Sequence, residues 1–413
     1  MSLRLLHTAD WHLGHTLHGV ERGPEHAIFL AWLLETLARE RVDVLLVAGD
    51  VFDGANPPTS ALEQWYRFLA EAWRTIPRLK IVVVAGNHDS PARLEVADPL
   101  LRALGRLHVV GAVRREGGAP DLDPLVIPLE DATGATAAWI AAVPFLRLAD
   151  LGPGAAEDPV AAVRALYAAA VERARARRRP GQALLATGHL YAVGGTVSEL
   201  SERKLVIGKE AAIPADVFPD DLAYVALGHL HLAQPVGGRE AVRYAGSVLP
   251  LSFDERAYAH GVVLVELEGD ALSACRTLPA PRPVPLTSVP AGREPAPLDE
   301  VLAAIAALPA RGDGPDEARP LLEVKVRLDR PEPSLRARLE AATDGKEARL
   351  VRIATALTGT GRALADVETR ALADLDPEEV LRRKWEREHQ DPLPDALLAL
   401  FHELLDQVRR EAP

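Results

Sequence analysis

Cysteine is almost absent from this chain: Cys275 stands alone among 413 residues. One thiol can build neither a disulfide framework nor a cysteine zinc cluster, and its isolation fits a reducing, cytoplasmic setting. Long apolar runs are missing too. No stretch reaches about 18 uninterrupted apolar residues, so no membrane-spanning helix is expected. The first apolar run is short and leads straight into Asp10, which argues against a signal peptide. Positive charge is in deficit, with 59 Asp and Glu against 47 Lys and Arg and a formal net charge of −12. Proteins that bind nucleic acid gain affinity from cations on phosphates. Such binding here would need a local basic surface or a partner's help. Lysine is scarce in an Ala-, Arg-, Leu- and Pro-rich composition, a bias that points to genome composition and to no function. No internal repeat is visible.

The length exceeds one typical domain, so two or three units are expected. Over the first third, strand-like runs alternate with helical patterns. A strand at 3–8 precedes a helix near 24–41, a strand at 43–48 precedes a helix near 59–75, and a strand at 79–85 precedes a helix near 92–104. That rhythm predicts βαβ units and a largely parallel sheet. Shorter strands follow over 107–145 (HVVGAV, PLVIPL, AAWIAAVPF), then a helix near 158–179 and a strand that carries His189. The segment 222–268, with AYVALGHLH, AVRYAGSV and GVVLVELEG, is expected to supply a second sheet.

A Pro-rich break, PAPRPVPLTSVPAGREPAP, then marks a linker or a second unit. Residues 284–358 read as a small βαβαβ unit. After a tether around 359–375, two helices are expected within 376–413. The first starts at Asp376-Pro377-Glu378-Glu379, with Asp as N-cap, Pro next and Glu at the third helical position. The second carries Leu397, Leu398, Leu400, Phe401, Leu404, Leu405 and Val408 on one stripe.

What the chain does have is a set of metal-ligand donors at the ends of apolar runs. LRLLHTADWH ends on Asp10 and His12, VDVLLVAGDVFD on Asp50 and Asp53, and KIVVVAGNHD on Asn87, His88 and Asp89. LLATGHL carries His189, and AYVALGHLH delivers His229 and His231. Buried strands tipped in this way place their donors on one rim, where α/β proteins put their sites. Carboxylate, imidazole and amide oxygen suit divalent cations such as Mn²⁺, Fe²⁺ or Zn²⁺. One carboxylate, Asp50, can bridge two cations about 3.5–4 Å apart, a spacing that activates a shared water. His229 and His231 are two apart and would face the same side of a strand, so they reach different cations only if the strand ends between them.

These blocks, D-x-H, G-D-x-x-D, G-N-H-D, G-H and G-H-x-H, resemble the calcineurin-like metallophosphoesterases. HTADWHLG, GNHDSPARL and YAGSVLPLSFDE narrow the resemblance to the Mre11/SbcD nucleases, nearest the bacterial SbcD branch. It is strong over the first two-thirds of the chain and in outline beyond. It implies an α/β four-layer sandwich, two mixed sheets flanked by helices, as a nuclease domain over 1–278. A DNA-binding cap over 284–358 and helices over 376–413 would complete it. The activity implied is Mn²⁺-dependent hydrolysis of DNA, as a 3′→5′ double-strand exonuclease and a hairpin or single-strand endonuclease, in repair, replication and recombination.

On the same resemblance Asp10, His12, Asp50 and His231 hold one cation, and Asp50, Asn87, His189 and His229 the other. His88 stabilises the transition state or protonates the leaving 3′ oxygen, a role suited to imidazole, and Asp89 orients it. Asp53 departs from the archaeal and eukaryotic pattern, which often has histidine there, so a role in steering double-stranded ends is not carried over. The partners implied are DNA, a second copy of the chain, and an SbcC-like SMC-type ATPase in a heterotetramer. The stripe from Leu397 to Val408 would dock on that ATPase, or else fold back onto the cap as core.

Arg93 either holds a phosphate oxygen or is a solvated arginine at a helix start. Arg173, Arg175, Arg177, Arg178 and Arg179 close a helix, where cations suit the helix dipole. His15, His18, His26, His108 and His260 read as ordinary, and Tyr244, Gly246 and Ser247 as a wall of the site. Two other functions compete. A phosphoesterase for nucleotides or phosphoproteins fits the cap, the tail and DSPARL poorly. A scaffold without activity would have no use for the full donor set.

Overall fold

The structure is a computed structural model that describes residues 2–96, 106–152, 154–155, 157–192 and 213–357, with Trp385, Leu397, Leu398 and Phe401. Residues Met1–Arg327 and Glu332–Ala356 form one compact unit. Leu328–Pro331 and Leu357–Pro413 form a second, of which little lies within the described residues.

Two six-stranded mixed sheets stack at the centre of the first unit. The first is ordered β12-β11-β1-β2-β3-β4, with β1 Ser2–Thr8, β2 Val44–Ala48, β3 Lys80–Val84, β4 Leu107–Val110, β11 Gly261–Glu268 and β12 Ala271–Pro279. β1 to β4 run parallel, as the βαβ rhythm predicts, and β11 and β12 are antiparallel additions. The second is ordered β9-β10-β8-β7-β6-β5, with β5 Val126–Glu130, β6 Thr136–Ala142, β7 Ala183–His189, β8 Tyr224–Gly228, β9 Gln234–Val236 and β10 Arg239–Tyr244. Its four inner neighbours β6, β7, β8 and β10 are parallel.

Alternation along the strands builds the layers. Leu3 and Leu5 of β1 join the core between the sheets, with Val44, Leu46, Ile140, Leu185 and Val225. Leu6, Leu45, Val47, Ile81 and Val83 point the other way, onto the helices Gly23–Arg39 and Thr59–Thr75 through Phe29, Leu33, Trp65 and Phe68. The helix Pro159–Arg177 covers the second sheet with Val163, Tyr167 and Ala170. Strands covered on both faces read as continuous apolar runs rather than alternating ones, and VLLVA and KIVVV are buried at every position. This is the expected α/β sandwich of four layers.

One strand differs from expectation. GVVLVELEG does not enter the second sheet: β11 pairs antiparallel with β1 in the first. Val262 and Leu264 face the helix layer while Val263, Val265 and Leu267 face the other sheet. A run apolar on both sides belongs beside a central strand, and β1 offers that place. The helix anticipated near 92–104 is described only as Pro91–Glu95; 97–105 lie outside the described residues.

Residues 286–357 hold a small α/β sheet with two helices. Strands β13 (Leu286–Val289), β14 (Ala296–Pro297), β15 (Leu321–Leu328) and β16 (Arg349–Leu357) make the sheet, and the helices are Leu298–Ala306 and Leu335–Thr343. The expected helices of 376–413 lie outside the described residues, apart from Trp385, Leu397, Leu398 and Phe401, which are helical.

Between the sheets lies a buried polar bridge. His7 of β1 sets Nδ1 3.0 Å from the Tyr224 hydroxyl and Nε2 3.2 Å from the Leu227 carbonyl oxygen. Burial pushes its pKa from 6.5 down to about 3. Below pH 6.5 the unfolded chain therefore takes up a proton that folded His7 rejects, and stability falls as pH drops from 6.5 toward 3. His7→Gln removes that titration. A thermal-unfolding series from pH 7 to pH 4 should show a shallower fall in Tm for His7→Gln than for the parent chain; identical slopes would remove His7 from the account of acid sensitivity.

Candidate metal centre

The donor blocks follow the C-terminal ends of five parallel strands. Asp10 and His12 follow β1, Asp50 and Asp53 follow β2, and Asn87, His88 and Asp89 follow β3. From the second sheet, β7 ends on His189 and β8 ends at Gly228, so His229 and His231 both lie beyond it. The strand thus ends ahead of the pair, and His229 turns at φ 106, which frees the two imidazoles to point apart.

Backbone strain is concentrated here. Asp10, His12 and Asp50 have φ of 52, 48 and 49, a left-handed region that costs a non-glycine residue energy. Two backbone bonds hold the turns together: Asp10 N–H donates to Gly49 O at 3.0 Å and His12 N–H to Asp50 O at 3.1 Å. Gly86 leaves room for the Asp50 carboxylate, since a Cβ there would collide with Asp50 Oδ1 and the Asp50 nitrogen.

The donors converge. Asp50 Oδ2 lies 3.6 Å from His12 Nε2 and 3.3 Å from His189 Nε2. Asn87 Oδ1 lies 2.9 Å from His189 Nε2 and 3.0 Å from His229 Nδ1. Asp10, His12 and His231 offer ligand atoms within 4.8 Å of one another, and so do Asp10, Asp50 and His189. The first trio coincides with three of the four ligands expected for one cation. The second sets Asp10 beside residues expected on the other, so Asp10 lies close to both groups.

Three of the four imidazoles, those of His189, His231 and His12, are aimed by their other nitrogen, as metal-ligating histidines usually are. His189 Nδ1–H donates to Ala48 O at 2.9 Å. His231 Nδ1 meets Glu255 Oε1 at 2.8 Å, and Glu255 Oε2 also accepts Leu251 N–H at 2.8 Å. His12 Nδ1 meets Asp53 Oδ1 at 3.1 Å, and His15 Nδ1 shares that oxygen at 2.9 Å. His12 Nε2 is then buried with no hydrogen-bond partner, facing Asp50. A buried nitrogen lone pair aimed at a carboxylate is what a cation would satisfy, so the residues fit divalent metal.

The charge balance agrees. Burial alone would raise Asp50, but His189, His12 and His88 outweigh it and hold its carboxyl far below the usual range. Burial would depress His189, yet Asp50 and Asp10 drive it up to about 9. Burial raises Asp10 to about 7 and lowers His12 to about 4 and His229 to about 3. His12 and His229 are thereby kept as neutral donors, while His189 and Asp10 hold on to protons that a bound cation would release.

Two residues depart from the roles expected of them, and a third had none. Asp89 does not orient His88. Its carboxylate is taken up by the N–H groups of Val51, Phe52 and Gly86 at 3.2, 3.0 and 2.9 Å, and so pins two site loops together. His88 is held instead by Asp53, whose carbonyl oxygen accepts from Nδ1 at 2.8 Å, and by Asp50 Oδ1, which accepts the His88 N–H at 2.9 Å. His15, expected to be ordinary, joins the site through Asp53. Glu255 was not singled out, although it ends the LSFDE motif; an acidic residue closing that motif was the available signal.

Around the rim, Arg93 is exposed and donates to Asn56 Oδ1 at 2.9 Å. The arginines at the end of the helix Pro159–Arg177 are occupied by acids: Arg173 and Arg177 pair with Asp123, and Arg175 with Asp221 and Glu172. Tyr244 is buried, its hydroxyl donating to Leu190 O and accepting from Ala192 N–H, both at 2.8 Å, so it braces the segment that follows His189.

Comparison with known proteins places this geometry. The calcineurin-like phosphoesterase family model matches residues 3–233, and the type 5 capsule protein repressor C-terminal domain model matches 282–389. The SbcD component of the SbcCD nuclease from Rhodobacter capsulatus is 47% identical over 372 residues, covering 88% of this chain and 90% of the relative. Its counterpart from Escherichia coli K12 is 33% identical, with 94% of each chain covered. That of Bacillus subtilis is 36% identical over 64% of this chain and 66% of its own.

Glu255 offers a test of the arrangement. In Glu255→Ala, His231 loses the oxygen that aims it. Loss of such a supporting partner typically costs about 10–100-fold in metal affinity, and titration calorimetry with Mn²⁺ should show a loss of that order. Unchanged affinity in a folded variant would mean that His231 takes no part in metal binding.

Proposed function

The chain belongs to the calcineurin-like phosphoesterase family, in its SbcD branch, and we propose that it is the nuclease subunit of an SbcCD-type complex. In this reading it hydrolyses DNA phosphodiester bonds with two divalent cations, Mn²⁺ foremost, as a 3′→5′ double-strand exonuclease and a hairpin or single-strand endonuclease. Asp10, His12, Asp50 and His231 would hold one cation, and Asp50, Asn87, His189 and His229 the other. Such a pair, when bound, acidifies water and draws charge from the phosphate oxygens.

The chain's own groups supply the rest. His88 is fixed at two points, its N–H on Asp50 Oδ1 and its Nδ1–H on the Asp53 carbonyl oxygen. Nε2 is then the atom that gives a proton to the leaving 3′ oxygen. Asp89 keeps the loops that carry Asp50 and His88 in register, and Arg93 takes a phosphate oxygen of the substrate. The observation that carries the reading is that Asp50, alone among the described residues, touches all three functions, with His12 and His189 at its Oδ2 and the His88 amide at its Oδ1. A phosphoesterase site built for proton transfer to a leaving group supports an enzyme over a scaffold.

The small α/β unit over 284–358 serves as a DNA-binding cap on the nuclease domain 1–278. The region 376–413 docks an SbcC-like SMC-type ATPase, giving a heterotetramer around a homodimer of this chain in the cytoplasm. The names of the relatives and the amphipathic stripe from Leu397 support that partner. No helix among the described residues is long and apolar enough to cross a membrane.

Two experiments separate the roles. His88→Ala should bind Mn²⁺ and DNA as the parent does yet turn over about 10²-fold or more slowly, the range of general acid catalysis. His189→Ala should lose metal affinity along with rate. Equal metal loss in both variants, or full turnover in His88→Ala, would sink the assignment of His88. Deleting residues 376–410 should abolish copurification of an SMC-type ATPase while metal binding and cleavage of a small phosphodiester persist. A truncated chain that loses its metals would make those residues core.

A further inference from the structure

Many arginines of this acidic chain are neutralised from within. Arg164 pairs with Asp216, Arg173 and Arg177 with Asp123, Arg175 with Asp221, and Arg276 with Glu40. Arg147, like Arg115 and Arg256, has no carboxylate partner among the described residues, but it sits at the metal centre. Two other contacts hold it. The guanidinium lies over the Phe145 ring, 5.6 Å from the centroid, and Nη2 donates to the Asp89 carbonyl oxygen at 3.5 Å.

The support is itself tied to the metal centre. Phe145 meets the His189 imidazole edge-on, with centroids 6.2 Å apart and planes at 79°. Its backbone N–H donates to Ala85 O at 2.8 Å, one residue before Gly86 of the G-N-H-D block. An exposed cation is thus pinned on the rim of the site between the loops that carry His88 and His189. A guanidinium stacked on an aromatic face keeps its fork of donors free for an oxyanion, and stacking lowers the entropy lost when the fork is used.

We propose that Arg147, seated on Phe145, is a substrate-binding residue that grips the phosphate next to the scissile one. This rests on the nuclease reading above. The phenyl ring touches both the guanidinium and the His189 imidazole, which sets the cation beside the donor cluster, next to a ligand but not among the ligands. The scissile phosphate belongs to the cluster, and the next charge along the strand meets Arg147. The pair would thereby favour a polynucleotide over a single phosphodiester, and it places positive charge locally where the net charge of −12 works against binding.

The test uses the full chain loaded with Mn²⁺ and two substrates, a single-stranded oligonucleotide and bis(p-nitrophenyl) phosphate, which has no neighbouring phosphate. Arg147→Ala should raise KM for the oligonucleotide about tenfold, and this loss should exceed that on the small diester severalfold. The slope of log affinity against log salt should become shallower by about 0.7, the share of one phosphate contact on a single strand. Arg147→Lys should restore the slope but only part of the KM, and Phe145→Leu should raise KM with the slope kept. Arg173→Ala, whose cation is already paired with Asp123, should match the parent chain on every readout. Unchanged KM and salt slope in Arg147→Ala, equal losses on both substrates, or loss of bound Mn²⁺ would each overturn the proposal. A parent chain that hydrolyses the small diester but no oligonucleotide would instead overturn the nuclease reading itself.

Discussion

Two carboxylates, Asp10 and Asp50, are buried at the point where two sheets meet, and among the described residues neither pairs with a lysine or arginine. Isolated buried charge is expensive, and proteins compensate it with partners or metal. Here the surroundings are imidazoles, with His12 and His189 both within 3.6 Å of Asp50 Oδ2. The rest of the molecule serves that arrangement. Three parallel strands of one sheet and two of the other end at the same place, and the left-handed turns at Asp10, His12 and Asp50 lie directly after them. Apolar burial supplies the rigidity: the Trp11 ring packs edge-on against Phe29, Trp65 and Phe68 directly under the D-x-H turn. Truncating a buried aromatic such as Phe29 to Ala would cost about 3–5 kcal/mol, and the loss would fall on the loop that holds Asp10 and His12.

Much of this was readable in the residues. Each donor block follows an apolar run, and a buried parallel strand needs such a run while its end supplies the rim. The period-2 and 3.6 patterns placed the helices Gly23–Arg39, Thr59–Thr75 and Pro159–Arg177 to within about two residues. What escaped was what depends on separation in space alone. GVVLVELEG carries nothing that says which sheet it joins, because a strand buried on both faces suits either. The partners of the imidazoles were hidden for a related reason. Asp53 and His15 stand 38 residues apart, and His231 and Glu255 stand 24 apart, with no pattern linking them until the loops fold. Asp89 misled because the resemblance assigned it to His88, whereas neighbouring residues in a tight loop point in different directions.

Charge is distributed with the same logic. An acidic chain that handles a polyanion cannot rely on its overall field, so its cations have to be placed one at a time. The arginines at the end of the helix Pro159–Arg177 form ion pairs with Asp123 and Asp221, which makes them part of the surface structure. Arg93 and Arg147 flank the G-N-H-D loop from different segments, one on Asn56 and the other on Phe145. Solvent-exposed pairs of the first kind are worth little to stability. An unpaired guanidinium beside a metal centre is available to substrate.

The central claim is that Asp50 joins two cations into one site. Asp50→Ala removes the carboxylate that Asp10, His12 and His231 would share with Asn87, His189 and His229. Metal analysis of the purified parent chain and of Asp50→Ala after equilibration with Mn²⁺ tests this directly. The account predicts two ions in the parent and loss of both from a variant that remains folded. Two ions retained in Asp50→Ala would contradict it.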